Sequence, residues 1–195
     1  TYITAGKAER AIIVCGEKMT SLVDWTDRSM CVLFGDGAGA VVLEGSNDDT
    51  YISLKVNGDK ELLCGLPPQG NSPFTSEKTN SYINMKGNEV YKFAVSNVSE
   101  QLIKALEDTG SSADDISLFL MHQANLRIIE AIRIRMKQPR EKFPANMQNL
   151  GNTSSASIPI LLDELNRNNQ IQSGQKLALA AFGAGLTVTV SILKF

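Results

Sequence analysis

The hydrophobic residues of this 195-residue chain change period several times, and that alternation limits the folds open to it. Short apolar runs at residues 11–15, 31–34, 40–43 and 51–56 read as strands. The first ends at Gly16. The second and third flank Gly35-Asp36-Gly37-Ala38-Gly39 and read as a glycine-cornered pair. From Gly87 to Asp108 the period changes. Val90, Phe93, Ala94, Val98, Leu102 and Leu106 recur at three- and four-residue steps, which is one face of a long helix. Residues 116–121 return to a buried strand with His122 at its end, followed by a helix from Asn125 to Met136. Gly151-Asn152-Thr153-Ser154 then precedes a helix through Leu161, Leu162 and Leu165. Interleaved β and α elements predict an α/β layered fold.

Between Lys176 and Lys194 lie 17 uncharged residues. A membrane span needs about 20 apolar residues, and this run is interrupted by Gly183 and Gly185. Two buried strands joined at the glycines are expected instead, with no membrane partner. Residues 65–80, which include Pro67, Pro68 and Pro73, read as a surface loop. The chain opens on Thr1 in what reads as the tail of an amphipathic helix, with no signal stretch, so a piece of a longer protein is expected.

A hydrophobic fraction of 43% with 21% charged residues describes an ordinary globular core. The net charge of −2 argues against a general nucleic-acid coat. Cys15, Cys31 and Cys64 form no CxxC pair, which suits a reducing, cytoplasmic setting rather than a disulfide framework. With His122 the only histidine and no clustered thiols, no metal site is expected.

Any imidazole chemistry falls on His122. It reads either as a buried histidine satisfied by a backbone partner, or as a donor to a developing oxyanion at a strand's carboxyl end, where α/β folds gather ligands. Asn152 reads either as part of a helix start or as a second donor to the same oxygen. The Gly35-x-Gly37-x-Gly39 pattern is no dinucleotide fingerprint, because Val41-Val42-Leu43 continues as strand where a helix would have to open. Phe182-Gly183-Ala184-Gly185 reads as strand–turn–strand, where a backbone N–H is bared. No cysteine is a convincing nucleophile: Cys15 is expected at a strand end, Cys31 inside a strand and Cys64 beside a loop. Residues 127–142 carry six basic side chains against Glu130 and Glu141, or +4 in a chain of −2. This reads either as a solvated helix face or as a docking patch for an acidic partner.

Four motifs in order resemble the β-ketoacyl-acyl-carrier-protein synthase III family: Phe34-Gly35-Asp36-Gly37-Ala38-Gly39-Ala40, Gly87-Asn88-Glu89-Val90, His122-Gln123-Ala124-Asn125-Leu126-Arg127, and Gly151-Asn152-Thr153-Ser154-Ser155-Ala156-Ser157. Phe182-Gly183-Ala184-Gly185 extends the resemblance, with Ala184 where glycine is commoner. It implies a thiolase-like fold of two similar halves in αβαβα layers, with residues 1–48 the tail of the N-terminal half and 49–195 the C-terminal half. It also implies that the nucleophilic cysteine belongs to a missing N-terminal portion, so this chain alone is expected to be inactive. The implied reaction is a decarboxylative Claisen condensation of acyl-CoA with malonyl-acyl carrier protein. Coenzyme A thioester and the phosphopantetheine arm enter as substrates, with no bound cofactor. By resemblance, His122, Asn152 and the backbone N–H of Ala184 are catalytic. Arg28, Gly87, Asn125 and Phe182 meet coenzyme A or pantetheine, and Lys92, Arg127 and Arg135 meet the carrier protein. A homodimer is implied. Two alternatives stay open, an inert module that only binds partners and a related condensing enzyme of secondary metabolism. A lone half would bare a large apolar face.

Overall fold

The computed structural model describes residues 2–58 and 82–195, together with the backbone of 64–65. The first described residues, 2–6, form a turn. The N–H of Lys7 donates to Tyr2 O at 2.9 Å and that of Gly6 to Ile3 O at 2.9 Å, with Gly6 at φ +67°. Those are the two bonds of a Schellman motif, which needs glycine at the left-handed position.

Strand β1 (Arg10–Lys18) pairs antiparallel with β2 (Asp36–Glu44) along their whole length. The expected pairing of 31–34 with 40–43 is therefore wrong. Residues 28–33 are turns, because Asp27 accepts from the backbone and hydroxyl of Ser29, and Met30 and Cys31 fold back onto Asp27 O. Such local side-chain bonds compete with extended backbone. The glycines 35–39 mark no corner. Gly37 and Gly39 lie inside β2, and Cys15 lies in mid-strand opposite Gly39 rather than at a strand end. Cys31 lies in the turns rather than inside a strand.

After β3 (Tyr51–Val56), a two-residue strand β4 (Cys64–Gly65) pairs with β5 (Asn84–Met85). The remainder of the expected proline-rich loop lies outside the described residues. Helix α1 (Gly87–Asp108) follows, then β6 (Leu118–Met121), α2 (Leu126–Met136), the short α3 (Met147–Leu150), α4 (Ser157–Arg167), β7 (Lys176–Gly183) and β8 (Thr187–Lys194). The sheet order is β3-β8-β7-β6, with β6 and β7 parallel and the other pairs antiparallel.

Side-chain alternation along β6 and β7 builds two cores. Phe119, Met121, Ala178 and Ala180 join Val98, Leu102, Ile128 and Ile132 of α1 and α2 on one face. Leu120 and Leu177 meet Leu161 and Leu165 of α4 on the other. The opposite side of α4 rests on β2, where a Cβ on Gly39 would come within 2.7 Å of Pro159 Cβ, and one on Gly37 within 2.8 Å of Ile160 Cδ1. Helix α4 is thus clamped between two sheets, and the glycines of β2 permit that approach. The chain stacks as α1 and α2, four-stranded sheet, α4, then two-stranded sheet. Exposed apolar side chains occur on both sheets, on two separate faces. Ile52, Leu54 and Val56 on β3, and Ile12, Val14 and Val42 on the β1–β2 ribbon, are all more than 60% exposed. No helix among the described residues is long and apolar enough to cross a membrane.

Candidate active site

A cavity of about 460 Å³ opens where the carboxyl ends of β6 and β7 meet the amino ends of α1 and α2. That volume is in the range of small-molecule sites. Its wall includes His122 and Asn152, together with Gly87, Asn125, Arg127 and Phe182. Two helix amino ends on one cavity favour negative charge there, since their first N–H groups carry partial positive charge.

His122 follows β6 directly. Its N–H donates to Ala180 O of β7 at 2.8 Å, which extends the parallel pairing one residue beyond the strand. The ring meets Phe182 edge-on at 5.3 Å, and Nδ1 lies 2.7 Å from the hydroxyl of Ser157. Burial in these surroundings pushes its pKa down from 6.5 to about 4, because a protonated ring would lose most of its hydration. At neutral pH the ring is therefore uncharged and has one N–H to give.

Asn152 comes from the far side of the molecule. Its N–H donates to Leu33 O at 2.8 Å and its carbonyl accepts from Gly35 N–H at 3.0 Å, a parallel bridge to Phe34. The side-chain Oδ1 accepts from Ser154 N–H at 2.9 Å. That bond settles the amide orientation, leaving Nδ2 as the donating end. Asn152 thus closes a turn onto Ser154 and does not cap α4, which begins at Ser157 after a turn of 3-10 helix. Gly151 has φ +69°, and a Cβ there would press on the backbone of Phe34 and Gly35 at 3.1 Å. Ser154, at φ +50°, also holds a left-handed conformation that costs a non-glycine residue energy.

Two models of one family match this sequence: the 3-oxoacyl-[acyl-carrier-protein] synthase III model over residues 1–59 and the C-terminal model of that synthase over residues 106–195. A β-ketoacyl-[acyl-carrier-protein] synthase III of Clostridium perfringens is 42% identical over the whole chain. The chain belongs to the synthase III family. It spans 62% of that relative's length. The structure of 3-oxoacyl-[acyl-carrier-protein] synthase III from Aquifex aeolicus superposes with a TM-score of 0.89 at 38% identity, covering all of this chain and 60% of that one. A priming β-ketosynthase of the R1128 polyketide pathway gives 0.90 at 30% identity, with 100% and 59% covered. The layered α/β fold read from the sequence is that of these thiolase-like condensing enzymes.

Within this synthase III framework the remaining sequence-stated residues divide. Gly87 opens α1 on the cavity wall. Asn125 is also on the wall, and its Oδ1 caps α2 by accepting from Arg127 N–H at 2.8 Å. Ala184 is exposed at the tip of the β7–β8 turn, between the wall residues Gly183 and Leu186. Arg28 is exposed in the turns at 28–33 and does not line the cavity. Lys92 is exposed on α1, and Arg127 is exposed at the cavity mouth. Arg135 is exposed near the end of α2, with its guanidinium donating to Val95 O of α1 at 3.2 Å. Among the described residues neither Cys15 nor Cys31 lines the cavity, and no group of acidic, histidine or cysteine side chains is placed to hold a metal. Sequence reasoning assigned no part to Leu33, Phe34, Tyr91 or Ser157. The first three line the cavity, and Ser157 closes the motif that begins at Gly151.

Proposed function

We propose that the protein containing this chain condenses an acyl-CoA, acetyl-CoA in the simplest case, with malonyl-acyl carrier protein to initiate fatty acid synthesis. One observation carries the reading: two uncharged donors, His122 and Asn152, face one cavity while their remaining polar atoms are held by the protein. Loss of CO2 from a malonyl thioester leaves an enolate whose charge gathers on the thioester oxygen. A neutral imidazole N–H and an amide N–H stabilise that oxygen without a proton changing hands. Each such donor in a dry, preorganised site is worth roughly 3–4 kcal/mol. The enolate carbon then attacks the carbonyl carbon of an acyl thioester, and the backbone N–H of Ala184 serves the resulting oxyanion. Collapse breaks the C–S bond, so that the thiolate leaves and the β-ketoacyl product stays on the carrier protein.

Gly87, Asn125 and Phe182 shape the passage for the phosphopantetheine arm, and Arg28 meets the adenine end of coenzyme A. Arg127 at the mouth, with Lys92 and Arg135, receives the acidic carrier protein. The thioester activation comes with the substrates, so no further cofactor enters. The acyl nucleophile of this scheme is neither Cys15 nor Cys31. The chain alone is accordingly expected to bind carrier protein without turnover, and the whole protein to work in the cytoplasm as a homodimer.

The test is release of labelled CO2 from malonyl-carrier protein by the whole protein. His122→Ala and Asn152→Ala should each lower it about 10²–10³-fold. Losses of only a few-fold for both would end the reading.

A further inference from the structure

His122 turns Nδ1 inward onto a single hydroxyl. Ser157 Oγ lies 2.7 Å from Nδ1 and also accepts the backbone N–H of Gln123 at 3.3 Å. The geometry of that N–H is itself held, since the Gln123 side chain donates to Met121 O at 2.7 Å and accepts from Asn146 N–H at 3.2 Å. Ser157 is 2% exposed, so its hydroxyl is not satisfied by bulk water. Its backbone N–H is taken by Ser154 O, and among the described residues its hydroxyl has no other hydrogen-bond partner. A hydroxyl carries one hydrogen. With an N–H already pointing at the oxygen, that hydrogen goes to the only acceptor within reach, Nδ1.

We infer that Ser157 is a positioning residue, which keeps Nδ1 unprotonated and so holds His122 in the Nε2–H form with that N–H available to the cavity. The role rests on the condensing reading above, in which the imidazole must donate. Had Nδ1 carried the hydrogen, the cavity would meet a lone pair and the enolate oxygen would be repelled. The same seven-residue motif then serves both donors. Asn152 presents its own amide, and Ser157, five residues on, sets the tautomer of the imidazole across the site. The position of Ser157 depends in turn on the packing of α4 against β2, because Pro159 and Ile160 lie against Gly39 and Gly37.

His122 is the only histidine of this chain, and in the whole protein its pair of ring nitrogens is the one missing from a histidine-selective ¹⁵N spectrum of His122→Gln. Long-range ¹H–¹⁵N correlation at pH 7 should show a protonated Nε2 and a bare Nδ1. Ser157→Ala should shift both nitrogens towards a mixed-tautomer average, and Ser157→Thr, which keeps the hydroxyl, should restore the native pattern. In the whole protein, Ser157→Ala should lower kcat for malonyl-thioester decarboxylation by about tenfold to a hundredfold, less than removal of a donor. The KM for carrier protein should not move, and the threonine variant should recover most of the rate.

A wild-type spectrum with hydrogen on Nδ1 overturns the inference outright, whatever the variants do. An unchanged spectrum in Ser157→Ala, or equal rate losses in the alanine and threonine variants, does so too. The spectrum requires no turnover. A wild-type protein that shows the Nε2–H form but releases no CO2 would therefore overturn the condensing reading and leave the tautomer assignment standing.

Discussion

Gly35→Ala probes how Asn152 is held. A Cβ at this position would lie 1.9 Å from Leu150 O and 3.1 Å from Leu150 C. Ordinary contact begins near 3.4 Å, so one backbone segment must retreat by about 1.5 Å. Neither partner is a flexible side-chain tip. Residues 33–35 are bonded to Asn152 on both sides, and Gly151 packs directly on Phe34 and Gly35. Overpacking of this kind costs about 1–3 kcal/mol, and the backbone partners place this case at the upper end. The displacement is passed to Asn152, whose carbonyl accepts the Gly35 N–H. A shift of about 1 Å in a positioned group can cost roughly 10²-fold in rate. Urea unfolding and malonyl decarboxylation measured on one preparation of the whole protein separate the two effects. Gly16→Ala is the control, because a Cβ there has nothing within 4 Å. Stability within about 0.5 kcal/mol of wild type would refute the steric reasoning, and lost stability with full activity would refute the link to Asn152.

The pKa of His122, about 4 when folded against 6.5 when unfolded, sets a pH dependence. The unfolded chain binds the proton first, so stability present above pH 6.5 is lost as pH falls towards 4, by up to about 3 kcal/mol. His122→Gln should remove that part of the slope in urea midpoints, and an identical slope would show that the ring titrates normally. Arg127→Glu should weaken carrier-protein binding about tenfold at low salt and flatten its salt dependence, with kcat for a free malonyl thioester unchanged. Asn125→Ala removes the cap of α2 and should cost about 1 kcal/mol in urea unfolding.

Much of the fold was legible because its signals are local. Helix α1 follows the apolar period of residues 87–108, and α2 (Leu126–Met136) matches the helix expected from Asn125 to Met136. The β7–β8 pair follows the uncharged run broken at its glycines. The failures came where a short apolar run had to choose a partner. Residues 31–34 look extended by composition, yet Asp27 turns the chain beforehand and only Phe34 makes a bridge, to Asn152. Strand β2 pairs with β1 between residues 18 to 34 positions apart, and no periodicity encodes that choice. The site divides in the same way. His122 and Asn152 could be named from their motifs, whereas Arg28 stands off the cavity wall and Ser157 drew no notice, because a serine at a helix start has an ordinary local explanation.

By itself, the amino-acid sequence determined most of the segments that are helix or strand and which residue types are available for chemistry, since both depend largely on neighbours a few positions apart. Only the tertiary structure decided that His122 is uncharged, which hydroxyl its inner nitrogen meets, and why three glycines alternate in residues 35–39. Those properties depend on desolvation and on contacts between segments as many as 120 positions apart, such as Gly39 and Pro159. Chain order does not record such distances until the layers close on one another.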